Sequence, residues 1–257
     1  TVAAHVVANS EATRQAFCDE GGRADRVSVV YNGIDPTPFE QAPDLSAALR
    51  HERGIPASAP IVGVFSRLAP WKGQHVLLDA LPHVPNLHAI LVGDALFSGD
   101  GDYVATLDDM AEALGVADRV HRLGFRTDVP ALMRACDVIA HTSVAPEPFG
   151  RVIVEGMLAE RPVVATRAGG AREIVEDGVT GHLVPPDDPD ALARVLRHLT
   201  TPSATGVSSM IESAAAAARS CFGPDVPVRG VARVLRDIGG APVHPPQRDR
   251  AVAPQAS

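Results

Sequence analysis

Cysteine is scarce in this chain. Only Cys18, Cys136 and Cys221 occur in 257 residues, far apart and with no Cys-x-x-Cys pair. That spacing argues against a disulfide framework or a zinc site and fits reduced thiols in a cytoplasmic protein. No apolar run reaches the ~18 residues of a membrane-spanning helix. There is no basic block, and 23 Lys and Arg against 31 Asp and Glu leave a net charge of −8. A nucleic-acid partner is therefore not expected, although a few local cations can still hold a small anion. Gly-x-Gly-x-x-Gly and the P-loop pattern are both absent, which removes a dinucleotide fingerprint and a Walker-type phosphate loop. So is Gly-x-Ser-x-Gly, and no pair of histidines has metal-ligand spacing. A basic-then-apolar leader is missing too. The chain opens on Thr1 rather than Met and is expected to be a fragment.

What remains is a sequence with 46% apolar and 21% charged residues, near the average for soluble proteins. Its length suits one or two domains with a sizeable core. The middle alternates short apolar runs with helical periodicity. Strands are predicted at 60–65, 87–93, 119–123, 137–141, 162–166 and 181–184. Helices are predicted at 73–81, 102–115, 129–136, 150–159, 172–176 and 190–199, the last capped by the acids of 187–190. This alternation predicts βα units and an α/β fold with a parallel sheet flanked by helices. Residues 1–35 read as one small β-α-β unit. The stretch 36–59, Pro-rich at its start, reads as a linker and lead-in. Helices are expected at 207–222 and 227–238, and residues 240–257 read as a disordered tail.

Three clusters follow predicted strands, where open parallel sheets bind ligands. In Ser-Arg-Leu-Ala-Pro-Trp-Lys-Gly (66–73), Arg67 and Lys72 flank a strand-to-helix loop whose helix start adds positive potential. They suit a phosphate or diphosphate; the plainer alternative is two solvated cations. In the stretch 147–155, a helix starting near Pro148 would put Glu147 at its mouth and Glu155 about two turns in. A carboxylate can accept both hydroxyls of a vicinal diol such as a ribose. The alternative is a helix-start acid and an exposed helix Glu. Gly169 and Gly170 begin the third cluster, where the backbone can approach a ligand closely or simply turn. Gly124 repeats that pattern weakly. His141 and His75 read as packed, structural or solvated residues.

In this order the clusters resemble a known family. Asn-Gly-Ile-Asp at 32–35, SRLAPWKG at 66–73 and LVGD at 91–94 are the first matching stretches. LGFRTDVPALMRACDV at 123–138, PEPFGRVIVEGMLAERPVVAT at 146–166 and GGAREIVEDGVTGHLVPPDDPDALA at 169–193 complete them. The E-x7-E spacing followed by Pro-Val-Val-Ala-Thr is the specific part. The chain resembles the donor-binding, C-terminal half of retaining group 1 (family 4) glycosyltransferases, which have two Rossmann-like domains in the GT-B arrangement. The resemblance covers about 5–200. It implies a remnant of the N-terminal acceptor domain at 1–35, a nucleotide-sugar donor domain at 60–222, and a crossing helix at 223–239.

The resemblance also implies roles. Arg67 and Lys72 hold the donor diphosphate, Glu155 the ribose, and Glu147 lies by the donor sugar. The Phe149 and Gly150 amides approach sugar or phosphate, Gly124 and Phe125 line the base pocket, and Gly169 and Gly170 belong to the donor site. No cofactor and no metal are implied. The acceptor is unspecified, and its site lies in the absent N-terminal domain or in a partner chain. Two other readings compete: a non-catalytic nucleotide-sugar-binding module or truncated remnant, and a nucleotide-sugar epimerase of similar architecture. Turnover separates the first from an enzyme, and product analysis the second.

Overall fold

Near the N-terminus, strand β1 (Val6–Ala8) leads into helix α1 (Glu11–Asp19) and parallel strand β2 (Val27–Val29). Ser10 starts α1 by accepting the Thr13 amide proton, as an N-cap serine does. The computed structural model describes residues 5–96, 100–201 and 205–239. The tail expected at 240–257 lies outside them.

Residues 36–59, expected as linker and lead-in, instead carry two helices, α2 (Thr37–Glu40) and α3 (Ser46–Arg53). The prolines initiate structure here. Pro36 is the N-cap of α2 and Pro38 sits in its first turn, where a missing N–H costs nothing. Phe39, Leu49 and Ile55 are buried and tie this stretch to the core.

The remaining strands are β3 (Ile61–Phe65), β4 (His88–Val92), β5 (Val120–Gly124), β6 (Val138–His141), β7 (Val163–Thr166) and β8 (His182–Val184). They form one parallel sheet in the order β5-β4-β3-β6-β7-β8. Every residue of β3, β4, β6 and β7 is buried, as a sheet covered on both faces requires. One face packs on α6 (Val129–Ala135), α7 (Arg151–Leu158) and α10 (Val207–Cys221), through residues such as Ile61, Ile139, Ile153, Met157 and Ala214. The other packs on α4 (Gln74–Ala80), α5 (Asp100–Ala113) and α9 (Pro189–Leu199), through Val62, Leu77, Leu107, Leu192 and Leu196. Alternate residues of β3 serve opposite layers, since successive strand side chains point to opposite faces. Short α8 (Ala171–Ile174) follows β7, and α11 (Asp225–Gly239) ends the described chain. The sequence expectation of a Rossmann-like parallel sheet flanked by helices holds.

Candidate functional site

The strand order reverses between β3 and β6, so the loops leaving those two strands diverge. Open α/β sheets bind ligands at that point, beyond the carboxyl ends of the strands. The loops are 66–73 and 142–150, and they carry Arg67, Lys72 and Glu147. They are laced together. The Val144 amide donates to the Trp71 carbonyl at 2.9 Å, and the Thr142 hydroxyl donates to the Lys72 carbonyl at 2.9 Å. Gly73 adopts φ +69°, and a Cβ there would collide with the Thr142 carbonyl. Buried Gln74 adds a clamp: its amide donates to the Ser66 hydroxyl and the Arg67 carbonyl, both at 2.9 Å.

The charges of the two loops meet. The Lys72 ammonium contacts Glu147 Oε1, and both side chains are largely buried. The other carboxylate oxygen, Oε2, lies 3.0 Å from His141 Nε2. Lys72 Nζ also stands 4.2 Å above the Trp71 ring, and the Arg67 guanidinium 5.6 Å from it. Each cation is thus within cation–π range of one aromatic plate. Burial first, and then the charge of Arg67, push the Lys72 ammonium down to about 8. Burial first, and then the charge of Lys72, push His141 down to about 4, so its imidazole is neutral at pH 7.

Glu155 lies on α7 and faces a groove of about 280 Å³, mostly apolar in lining, together with Arg67, Gly93, Leu96, Phe125 and Arg126. Its carboxyl pKa is raised by burial, and Arg151, one turn earlier at 3.3 Å, offsets this only in part. Phe125 is 73% exposed on the groove rim. Gly124 takes φ +65° with open space where a Cβ would stand. Two cations, the Glu155 carboxylate and an apolar slot therefore share one rim of the sheet, with Glu147 beside them.

Other expected residues have different surroundings. The Phe149 side chain is 3% exposed and packs against Tyr31 and Phe222, with ring centroids at 6.2 and 5.6 Å. Gly150 is the N-cap of α7 at φ +94°. Gly169 and Gly170 abut the Glu147–Phe149 backbone, and the Gly170 amide donates to the Glu147 carbonyl at 2.9 Å. The close approach they permit in this structure is of chain to chain.

The β1-α1-β2 unit also reaches this rim. Ser10 Oγ contacts the Pro148 carbonyl, and Thr13 Oγ1 lies 3.3 Å from it. Glu173 accepts the Glu11 and Ala12 amide protons at 2.8 Å each, and the Tyr31 hydroxyl donates to it at 3.0 Å. A carboxylate from one unit thereby caps the positive end of a helix in the other. The sequence does not single out Trp71, Gln74, His141 or Glu173 as site residues. Trp71, Gln74 and Glu173 lie inside or next to a recognised cluster, which is a usable signal. The partners of His141 and Glu173 come together only in the fold.

The arrangement has known relatives. The model of the family described as "Glycosyl transferases group 1" matches residues 46–214. The D-inositol 3-phosphate glycosyltransferase of Xylanimonas cellulosilytica is 36% identical over 212 residues, covering 80% of this chain and 50% of that protein. A GDP-mannose-dependent alpha-(1-6)-phosphatidylinositol monomannoside mannosyltransferase of Mycolicibacterium smegmatis is 35% identical, covering 74% of this chain and 51% of its own length. The chain thus spans about half the length of these curated relatives. The crystal structure of Anabaena HepE in complex with UDP-glucose superposes with a TM-score of 0.86 at 46% identity, over 91% of this chain and 64% of that one. In fold, the chain also matches the C-terminal domain of a group 1 protein, LpcC from Francisella tularensis, with a TM-score of 0.65 over 99% of that domain. The chain belongs to the group 1 glycosyl transferases, and its sheet has the Rossmann-like fold of a GT-B C-terminal domain.

Proposed function

We propose that this chain supplies the donor site of a retaining glycosyltransferase and that its donor is a UDP-hexose. The single observation that carries the reading is the meeting of Arg67, Lys72 and Glu147 at the strand-order reversal, beside an apolar groove that Glu155 faces. The nucleotide follows from likeness to HepE, whose structures hold UDP, glucose and UDP-glucose.

In this reading Arg67 and Lys72 grip the diphosphate, the base slides between Gly124 and Phe125, and Glu155 accepts the ribose hydroxyls. The Phe149 and Gly150 amides and the Gly169–Gly170 turn line the sugar and phosphate side. Glu147 faces the hexose hydroxyls. The bond from the anomeric carbon to the β-phosphate oxygen breaks with its electron pair passing to phosphate. The sugar passes through an oxocarbenium-like state. The acceptor oxygen then bonds on the same face, and its proton goes to the departing diphosphate. Stabilising that diphosphate is the main service of Arg67 and Lys72.

Calorimetric titration of the chain with UDP, GDP and ADP tests the donor. UDP is expected to bind, with GDP and ADP weaker. Glu155→Ala should weaken UDP roughly tenfold to hundredfold, the worth of hydrogen bonds to a charged group. Equal affinity for all three nucleotides, or an unaffected Glu155→Ala protein, would overturn the assignment.

A further inference from the structure

His141 ends β6 in the middle of the sheet, and 5% of it is exposed. Its two ring nitrogens face different partners. Nε2 lies 3.0 Å from Glu147 Oε2, and Nδ1 lies 3.3 Å from the hydroxyl of Thr166, the last residue of β7. Thr166 donates its one hydroxyl proton to the Ser143 carbonyl at 2.8 Å. A neutral imidazole has one N–H to give. A carboxylate takes it in preference to a hydroxyl, because charge-assisted hydrogen bonds are about twice as strong as neutral ones. The shorter distance is also to Glu147.

Glu147 therefore has one oxygen on a fixed group and one on a movable group. Its Oε1 partner, Lys72, sits on a flexible four-carbon stem and is the cation assigned to the donor diphosphate. When Lys72 turns to phosphate, Oε1 is released while Oε2 keeps its bond. A carboxylate this buried pays a large desolvation penalty if it loses both partners.

We propose that His141 is a positioning residue for sugar recognition: an Nε2–H imidazole, wedged between Glu147 and the Thr166–Ser143 pair, that holds one oxygen of Glu147 while the other passes from Lys72 to a donor hydroxyl. The inference rests on the reading of Glu147 as the carboxylate that faces the hexose. The imidazole lies between the Glu147 carboxylate and the Thr166 hydroxyl, with the Ser143 carbonyl bonded to Thr166 and the Lys72 ammonium beyond Glu147. The charge of Lys72 reinforces burial in keeping the imidazole neutral.

The test compares UDP with UDP-glucose on the whole chain, in the wild type and in His141→Leu and His141→Gln proteins. Leucine has no donor, whereas the glutamine amide nitrogen reaches about as far as Nε2. His141→Leu is expected to leave UDP affinity within about twofold and weaken UDP-glucose roughly tenfold, the worth of one hydrogen bond to a charged group. His141→Gln should restore most of that loss. A purely structural role would weaken both ligands together or neither, and either result overturns the proposal. Nitrogen-15 NMR of the free chain gives a readout independent of ligand and variant. It is expected to report an Nε2–H tautomer that changes in Glu147→Gln; an Nδ1–H tautomer overturns the clamp. A wild-type chain that binds neither UDP nor UDP-glucose overturns the donor-site reading instead, and the tautomer still decides the clamp.

Discussion

The two rims of the sheet use similar residues to different ends. At the rim where the strands begin, charge is tied mainly to backbone. Arg119 donates to the carbonyls of Leu81, Val84 and Leu87, and Asp137 accepts the Ile61 amide proton at 2.7 Å and faces Arg50 at 3.4 Å. At the rim where the strands end, charge meets charge: Lys72 contacts Glu147, and the pKa values of Lys72, His141 and Glu155 are all displaced by burial. A guanidinium bonded to three carbonyls cannot leave without opening the fold. An ammonium on a carboxylate can exchange that partner for another anion. Exchangeable partners thus suit a working charge, and backbone partners a structural one.

Substitutions on each rim can break that distinction. The largest effect is expected from Lys72→Ala, which, in an enzyme completed with the acceptor domain, should cut donor turnover roughly 10²–10³-fold, as loss of a preorganised charge-stabilising donor does. Released UDP reads it, and a change under about threefold would remove Lys72 from the reaction. On the other rim, Arg119→Ala should cost about 2 kcal/mol by orphaning buried carbonyls. Thermal unfolding should show the drop in Tm, while UDP affinity stays within about twofold.

Next comes pH. In the role proposed for it Lys72 would grip phosphate as the ammonium, and its free-state value is pushed down to about 8. UDP affinity should therefore hold below that pH and fall above it, by up to about tenfold per pH unit. Lys72→Arg should flatten the profile, since guanidinium stays charged. Smallest is Phe125→Ala, at the exposed rim of the groove, where loss of stacking should weaken UDP about fivefold.

Much of the sheet and of the charged rim is legible in the sequence. Fully apolar strands and amphipathic helices gave the parallel sheet, and the clusters after strands gave Arg67, Lys72, Glu147 and Glu155. Asp188 proved to cap α9, inside the acidic stretch expected to do so. The stretch 36–59 misled because Pro36 and Pro38 suggest turns. In a first helical turn the same residues start a helix, and only the burial of Phe39 and Leu49 reveals it. His141 is packed in the core, as its place in an apolar strand leads one to expect. Its bond to Glu147 depends on how a later loop folds back. Glu173 reaches α1 across more than 160 positions, which no local pattern records.

The hydrogen bonds between the cation loop and the carboxylate loop bear on how such a site can change over generations. Trp71, Lys72 and Gly73 all touch residues 142–144 through backbone atoms. A lengthened loop on one strand would find no matching surface on the other. On the proposed reading, variation in donor preference is steered away from this seam, toward the groove wall of Leu96, Phe125 and Arg126, where side chains can be exchanged one at a time.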